Sequence, residues 1–201
     1  MEEDEEGTLC YIPWLSSAFP FSSNINHVSQ ELRAEIMESL PQPGEAEELA
    51  AFYFQYAAWM LVNPVFRPLQ VAGANHEMLP RYTPILEQDF KEQIFPLVYE
   101  DASTTERGSA EAHKLALLFF VFAMGTLTNP RTRDISTQDA MKYFHIGRAA
   151  LMLNQSLETP SVPLLQGLLL MCHFMFLANI ESSRWLAMGI IVKLSQSVGF
   201  I

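Results

Sequence analysis

The stretch Ser109-Ala-Glu-Ala-His-Lys-Leu-Ala-Leu-Leu-Phe-Phe-Val-Phe-Ala-Met-Gly-Thr-Leu127 decides the fold. Wound as a helix, it presents Leu115, Leu117, Leu118, Phe119, Phe120, Val121 and Phe122 on nearly every side, and a helix that is apolar all round has to be enclosed by other elements. Asn129-Pro130 ends it. A second apolar stretch, Leu164–Ile180, is interrupted by Gln166 and His173. The apolar run Leu115–Gly125 within the first stretch and Leu164–Ile180 both fall short of the roughly 18 to 20 unbroken apolar residues of a membrane span, so both read as buried helices of a protein core.

The pattern stays helical on the C-terminal side. Ser136 with Asp139 three residues on is a relative of the capping box and opens a helix through about Asn154, with Ala140, Phe144, Gly147 and Leu151 on one face. Ser161 with Pro163 opens another through Asn179, and Ser182 or Ser183 opens the last, to Val198, with Gly199 as its left-handed cap.

On the N-terminal side, Thr83-Pro84 reads as a capping hydroxyl and first-turn proline for a helix through Phe95. From Glu45, the residues Ala46, Leu49, Tyr53, Ala57 and Met60 recur at threes and fours, with Phe52, Tyr56 and Trp59 widening the stripe. That helix should end at Asn63-Pro64, before an irregular link over 64–82. Pro41-Gln-Pro43-Gly44 reads as a connector, Glu31–Leu40 as a short helix, and the residues before it as an irregular arm. The sum is an all-α chain of about six main helices, in a multi-helix bundle or α-solenoid-like packing. Its domains are an acidic arm over 1–39 and one helical unit over 40–201.

Apolar residues make up 49% of the 201 and charged residues 17%, ample for a single core. The net charge of −11 is uneven: residues 1–101 carry 17 acids and 4 bases (−13), and residues 102–201 carry 6 acids and 8 bases (+2). The densest basic stretch is Arg131-Thr-Arg133, too little to neutralise a row of phosphates or to dock on an anionic membrane. Cys10 and Cys172 stand far apart, which excludes a disulfide framework, a CxxC redox pair and a multi-cysteine zinc site within this chain. The opening Met1-Glu-Glu-Asp-Glu-Glu6 is the opposite of a secretory n-region.

No catalytic, cofactor-binding or metal-ligating set assembles from motifs. His76-Glu77 resembles the start of HExxH, but Pro80 occupies the place of the second His. His113, His145 and His173 lie on separate predicted helices. The carboxylates of Glu45–Glu48 and Glu87–Asp89 have the spacing of a solvated face. The aromatic set Phe52, Tyr53, Phe54, Tyr56 and Trp59, and the methionines Met171, Met175 and Met188, read first as core packing and second as the lining of an adaptable ligand pocket.

The order of segments resembles the fungal-specific transcription factor domain, the middle homology region of zinc-cluster transcription factors. The resemblance runs from about Leu40 to Ile201. It is carried by Arg148-Ala-Ala-Leu151, Leu165-Gln-Gly-Leu-Leu-Leu-Met171, Ser183-Arg-Trp-Leu-Ala-Met-Gly189 and Val192-Lys-Leu-Ser-Gln-Ser-Val-Gly199. Within these, Gln166, Trp185, Gly189 and Gly199 match the family's motif as structural residues. Glu45–Trp59, Asn63-Pro-Val65, Arg81 to Tyr99 and Leu115–Leu127 are similar to earlier family segments.

The resemblance implies a nuclear regulator of transcription in which a six-cysteine zinc cluster reads DNA and the middle region regulates or receives signals. With two cysteines the chain lacks that cluster, so zinc and DNA contact are expected only through a missing domain, and the chain itself needs no cofactor. Its expected partners are proteins, by self-association or as coregulators. A small-molecule effector is the alternative class, in which the chain is a helical receptor module. No membrane is expected. The ending at Gly199-Phe-Ile201, where family members usually continue through further helices, reads as a fragment.

Overall fold

The computed structural model describes residue 12 and residues 29–58, 83–99, 109–131, 136–153, 159–180 and 184–199. Among them, secondary structure is helical throughout. In chain order the elements are α1 (Ser29–Glu38), α2 (Pro43–Phe52) running into a π-helical turn π1 (Tyr53–Ala57), then α3 (Glu87–Asp89), π2 (Phe90–Ile94) and α4 (Phe95–Tyr99) as one continuous rod. These are followed by α5 (Ser109–Thr128), α6 (Ser136–Ala150), α7 (Val162–Leu177) and α8 (Arg184–Ser197). Counting continuous rods, seven helices pack together among the described residues, one more than the six main ones expected.

Helix α5 is the axis, as its all-round apolar surface requires. Every residue from Ala116 to Met124 is fully buried. α6, α7, α2, π1 and π2 all pack against it, and α8 lies against α7. The rings of Phe120 and Phe144 lie 6.1 Å apart, and Phe144 stacks on Phe174 at 4.6 Å and 17°, tying α5, α6 and α7 together. Each such buried large side chain contributes about 1.5–3 kcal/mol. Gly125 sets the approach of α2 to α5. A Cβ at this position would lie 2.0 Å from the Leu49 carbonyl oxygen, so the two backbones touch where only hydrogen can stand between them.

The helix ends follow local chemistry. The Ser161 hydroxyl accepts from the Leu164 N–H (3.3 Å) at the start of α7. At its other end Asn179 adopts φ +57, and the Ile180 N–H donates back to the Met175 carbonyl at 2.8 Å, a left-handed helix stop. After α5, the Asn129 side chain accepts from the Arg131 N–H at 2.9 Å. Gly199 sits at φ +80, as expected for the cap of α8.

Three expectations change. Pro43 and Gly44 belong to the first turn of α2 rather than to a connector, because proline lacks only an N–H that the first turn leaves unpaired anyway. Thr83-Pro84 does not open the next helix: the Thr83 hydroxyl donates to the Ile85 carbonyl (2.9 Å) in a turn, and the helix starts at Glu87 and runs past Phe95 to Tyr99. The short N-terminal helix is part of the core. Leu32 and Ile36 are fully buried, Arg33 pairs with Glu111 of α5, and the Ile12 N–H donates to Glu35. The expected end of the Glu45 helix at Asn63-Pro64 and the caps Ser182 and Ser183 lie outside the described residues.

Candidate interaction surfaces

Helix α8 is apolar on two faces. Ala187 and Ile191 are buried, with Ile190, Leu194 and Val198 packed partly against the core. Trp185, Met188, Gly189 and Val192 fall at i, i+3, i+4 and i+7, one stripe of a helix, and all are exposed. Trp185 is 85% exposed and Val192 45%. Beside them Phe176, at the end of α7, is 62% exposed, with the Arg184 guanidinium 5.5 Å over its ring. A stripe of this composition is the anchor pattern of a helix that packs on both sides.

Two of the family-motif residues, Trp185 and Gly189, therefore share one surface. A Cβ on Gly189 would meet no atom within 4 Å. Gln166 is half-buried on α7, and Gly199 follows α8. Of the methionines, Met171 and Met175 are in the core while Met188 is on the outer stripe; they do not line a common pocket.

A groove of about 520 Å³ lies between two helical walls. Gly44, Glu47, Glu48, Ala51 and Phe54 form one wall, and Glu87, Phe90, Lys91 and Phe95 the other. Both walls change to π geometry where they meet. The Ala58 N–H reaches back to the Tyr53 carbonyl (2.9 Å), and the Phe95 N–H to that of Phe90. Phe54 and Phe90 touch edge-on there, centroids 5.5 Å apart. Short π segments recur at functional sites.

Of the aromatic set, read first as core packing and second as a pocket lining, Phe54 is the described member that lines this groove. Tyr53 is buried in the core; burial pushes its hydroxyl up to about 12, and the neighbouring Thr83 acts in the opposite direction. Phe52 lies under Arg131 (5.7 Å) and stacks with Tyr56, and Trp59 lies outside the described residues. The second wall carries the spacing Glu87, Phe90, Lys91 in the sequence, but nothing local pairs that run with α2.

The groove's rim is acidic. Glu48 pairs with Arg131 at 2.8 Å and Glu87 with Lys91 at 2.7 Å, both exposed. Glu47 has no such partner among the described residues and stands exposed. Exposed pairs of this kind are weak and leave their carboxylates available to a ligand.

The described histidines, His113, His145 and His173, form no metal-holding group. His113 is fully buried on α5 with Nδ1 2.7 Å from the Ser161 hydroxyl. Burial, and secondarily Arg148, hold His145 below its ordinary pKa, and burial lowers His173 to about 4. Among the described residues no group of three or more His, Cys, Asp or Glu is placed to hold a metal. His76, Glu77 and Pro80 lie outside them. The window Glu111–Thr128 is long and apolar enough to span a membrane by length and composition, and 78% of it is buried inside the fold as the central helix.

Comparison with protein families matches residues 53–201 to the fungal specific transcription factor domain, beginning thirteen residues later than the Leu40 boundary read from the motifs. No curated protein and no solved structure matches the chain. The matched family is a transcription factor regulatory domain and not an enzyme family. The match includes π1, both walls' Phe54 and Phe90, the central α5 and the exposed α8, and covers well over half of the sequence: the chain belongs to the fungal-specific transcription factor domain family.

Proposed function

We propose that this chain is the regulatory and interaction region of a nuclear fungal transcription factor that controls DNA-templated transcription. In this reading DNA contact and zinc belong to a zinc cluster elsewhere, and the helices act through protein partners, by self-association or with coregulators. The family match over residues 53–201 carries the reading. The outer stripe of α8 supports it, since Trp185, Met188 and Val192 in water are what a partner's surface would cover. The paucity of basic residues fits a region that does not grip DNA itself.

The test is to tether the full chain to an unrelated DNA-binding domain upstream of a reporter. Reporter output should move from that of the DNA-binding domain alone, and Trp185→Asp with Val192→Asp should return it toward that baseline. Unchanged output from the tethered chain would overturn the reading. In sedimentation the isolated chain should associate, and the double variant should associate less; a monodisperse, cooperatively melting monomer argues against partner exchange through this face.

A second reading is favoured by one observation, the π-walled groove: the region also senses a small molecule that binds between helices and shifts a two-state equilibrium.

A further inference from the structure

We propose that the groove between π1 and π2 is a binding site for a small organic monocation with an apolar body, such as a substituted ammonium. The proposal rests on the sensing reading and adds the chemical class of the ligand. Phe54, Phe90 and Phe95 supply ring surface, Phe54 and Phe95 half-buried and Phe90 at the floor. Aromatic faces attract cations, most strongly when the cation sheds water. Among the described residues, Glu47, which has no ion-pair partner there, stands on one wall and Glu87 on the other, and Lys91 is the base in the lining and is engaged by Glu87. The charge balance of the lining therefore favours a cation and disfavours an anion. The volume of about 520 Å³ lies within the usual range for small-molecule sites. The two π turns open both helices at the same level, where Phe54 meets Phe90, which makes the rings a seam of the groove and not an incidental contact.

The full chain is titrated by calorimetry with three probes that share one body and differ in charge: 4-phenylbutyltrimethylammonium, 4-phenylbutanol and 4-phenylbutyrate. The cation should bind saturably, the alcohol more weakly and the carboxylate least. Glu47→Gln, a change at an exposed position that leaves the core intact, should weaken the cation about two- to fivefold and leave the alcohol unchanged. Lys91→Gln should strengthen it. Phe54→Leu, which keeps apolar volume, should weaken the cation more than the alcohol. Equal binding of all three probes, binding by none of them, or indifference to Glu47→Gln overturns the site. Cation binding that obeys these rules while reporter output and self-association stay unchanged upholds the site and refutes only the sensing reading.

Discussion

Gly125→Ala sets two physical effects against each other. On helix propensity alone the change stabilises, by about 1 kcal/mol for a glycine inside a helix. In this fold the new methyl would stand 2.0 Å from the Leu49 carbonyl oxygen and 2.8 Å from its carbon. Ordinary contact begins near 3.4 Å, so α2 and α5 have to part by roughly 1.4 Å where they pack, and the obstacle is backbone, which no rotamer change relieves. Overpacking of this kind costs about 3 kcal/mol, the upper end of its usual range. The expected net loss is about 2 kcal/mol, read as a lower midpoint in urea at unchanged slope. For a chain of this size that is about 4–8 °C in Tm. Gly189→Ala is the control. It is also inside a helix, but its Cβ meets nothing within 4 Å, so it should raise stability by up to about 1 kcal/mol. An unchanged or raised midpoint for Gly125→Ala, or a loss for Gly189→Ala equal to it, would refute the packing of α2 on α5 described above.

Three further outcomes follow from the core. Ser161→Ala removes the hydroxyl that caps α7 and meets buried His113, and should cost about 2 kcal/mol in chemical denaturation, most of it recovered by Ser161→Thr. His173, lowered to about 4 by burial, binds its proton more readily in the unfolded chain, where the ordinary value is about 6.5. Stability should therefore be full above that value and fall as pH drops toward 4; His173→Leu should flatten this slope in denaturation midpoints measured across the window. Cys172 is buried and its thiol is pushed up to about 11, so maleimide at pH 8 should leave it unmodified in the folded chain and label it in urea.

How far the sequence could be read depended on the range of the force involved. The span of α5 was legible because its apolar residues and the Asn129-Pro130 stop act within one helix. The start of α7 was legible because Ser161 binds an N–H three residues on. The start of the 87–99 rod was misread because a hydroxyl before a proline can satisfy a turn as readily as a helix, and here Thr83 bonds Ile85. The π turns escaped entirely: one residue of extra winding leaves the apolar spacing almost unaltered over a single turn, and the contact of Phe54 with Phe90 spans 36 residues.

The sequence by itself determined an all-helical chain around an enclosed central helix, its family, and the caps at Ser161 and Gly199, because periodicity, capping and motif order are properties of neighbours along the chain. Only the tertiary structure decided that the short N-terminal helix buries Leu32 and Ile36, that Trp185 and Gly189 share an uncovered stripe while Gln166 does not, and that Phe54 rather than Phe52 or Tyr53 faces a groove. Each of these depends on which helices lie side by side, and that is settled by the summed packing of faces distant in sequence.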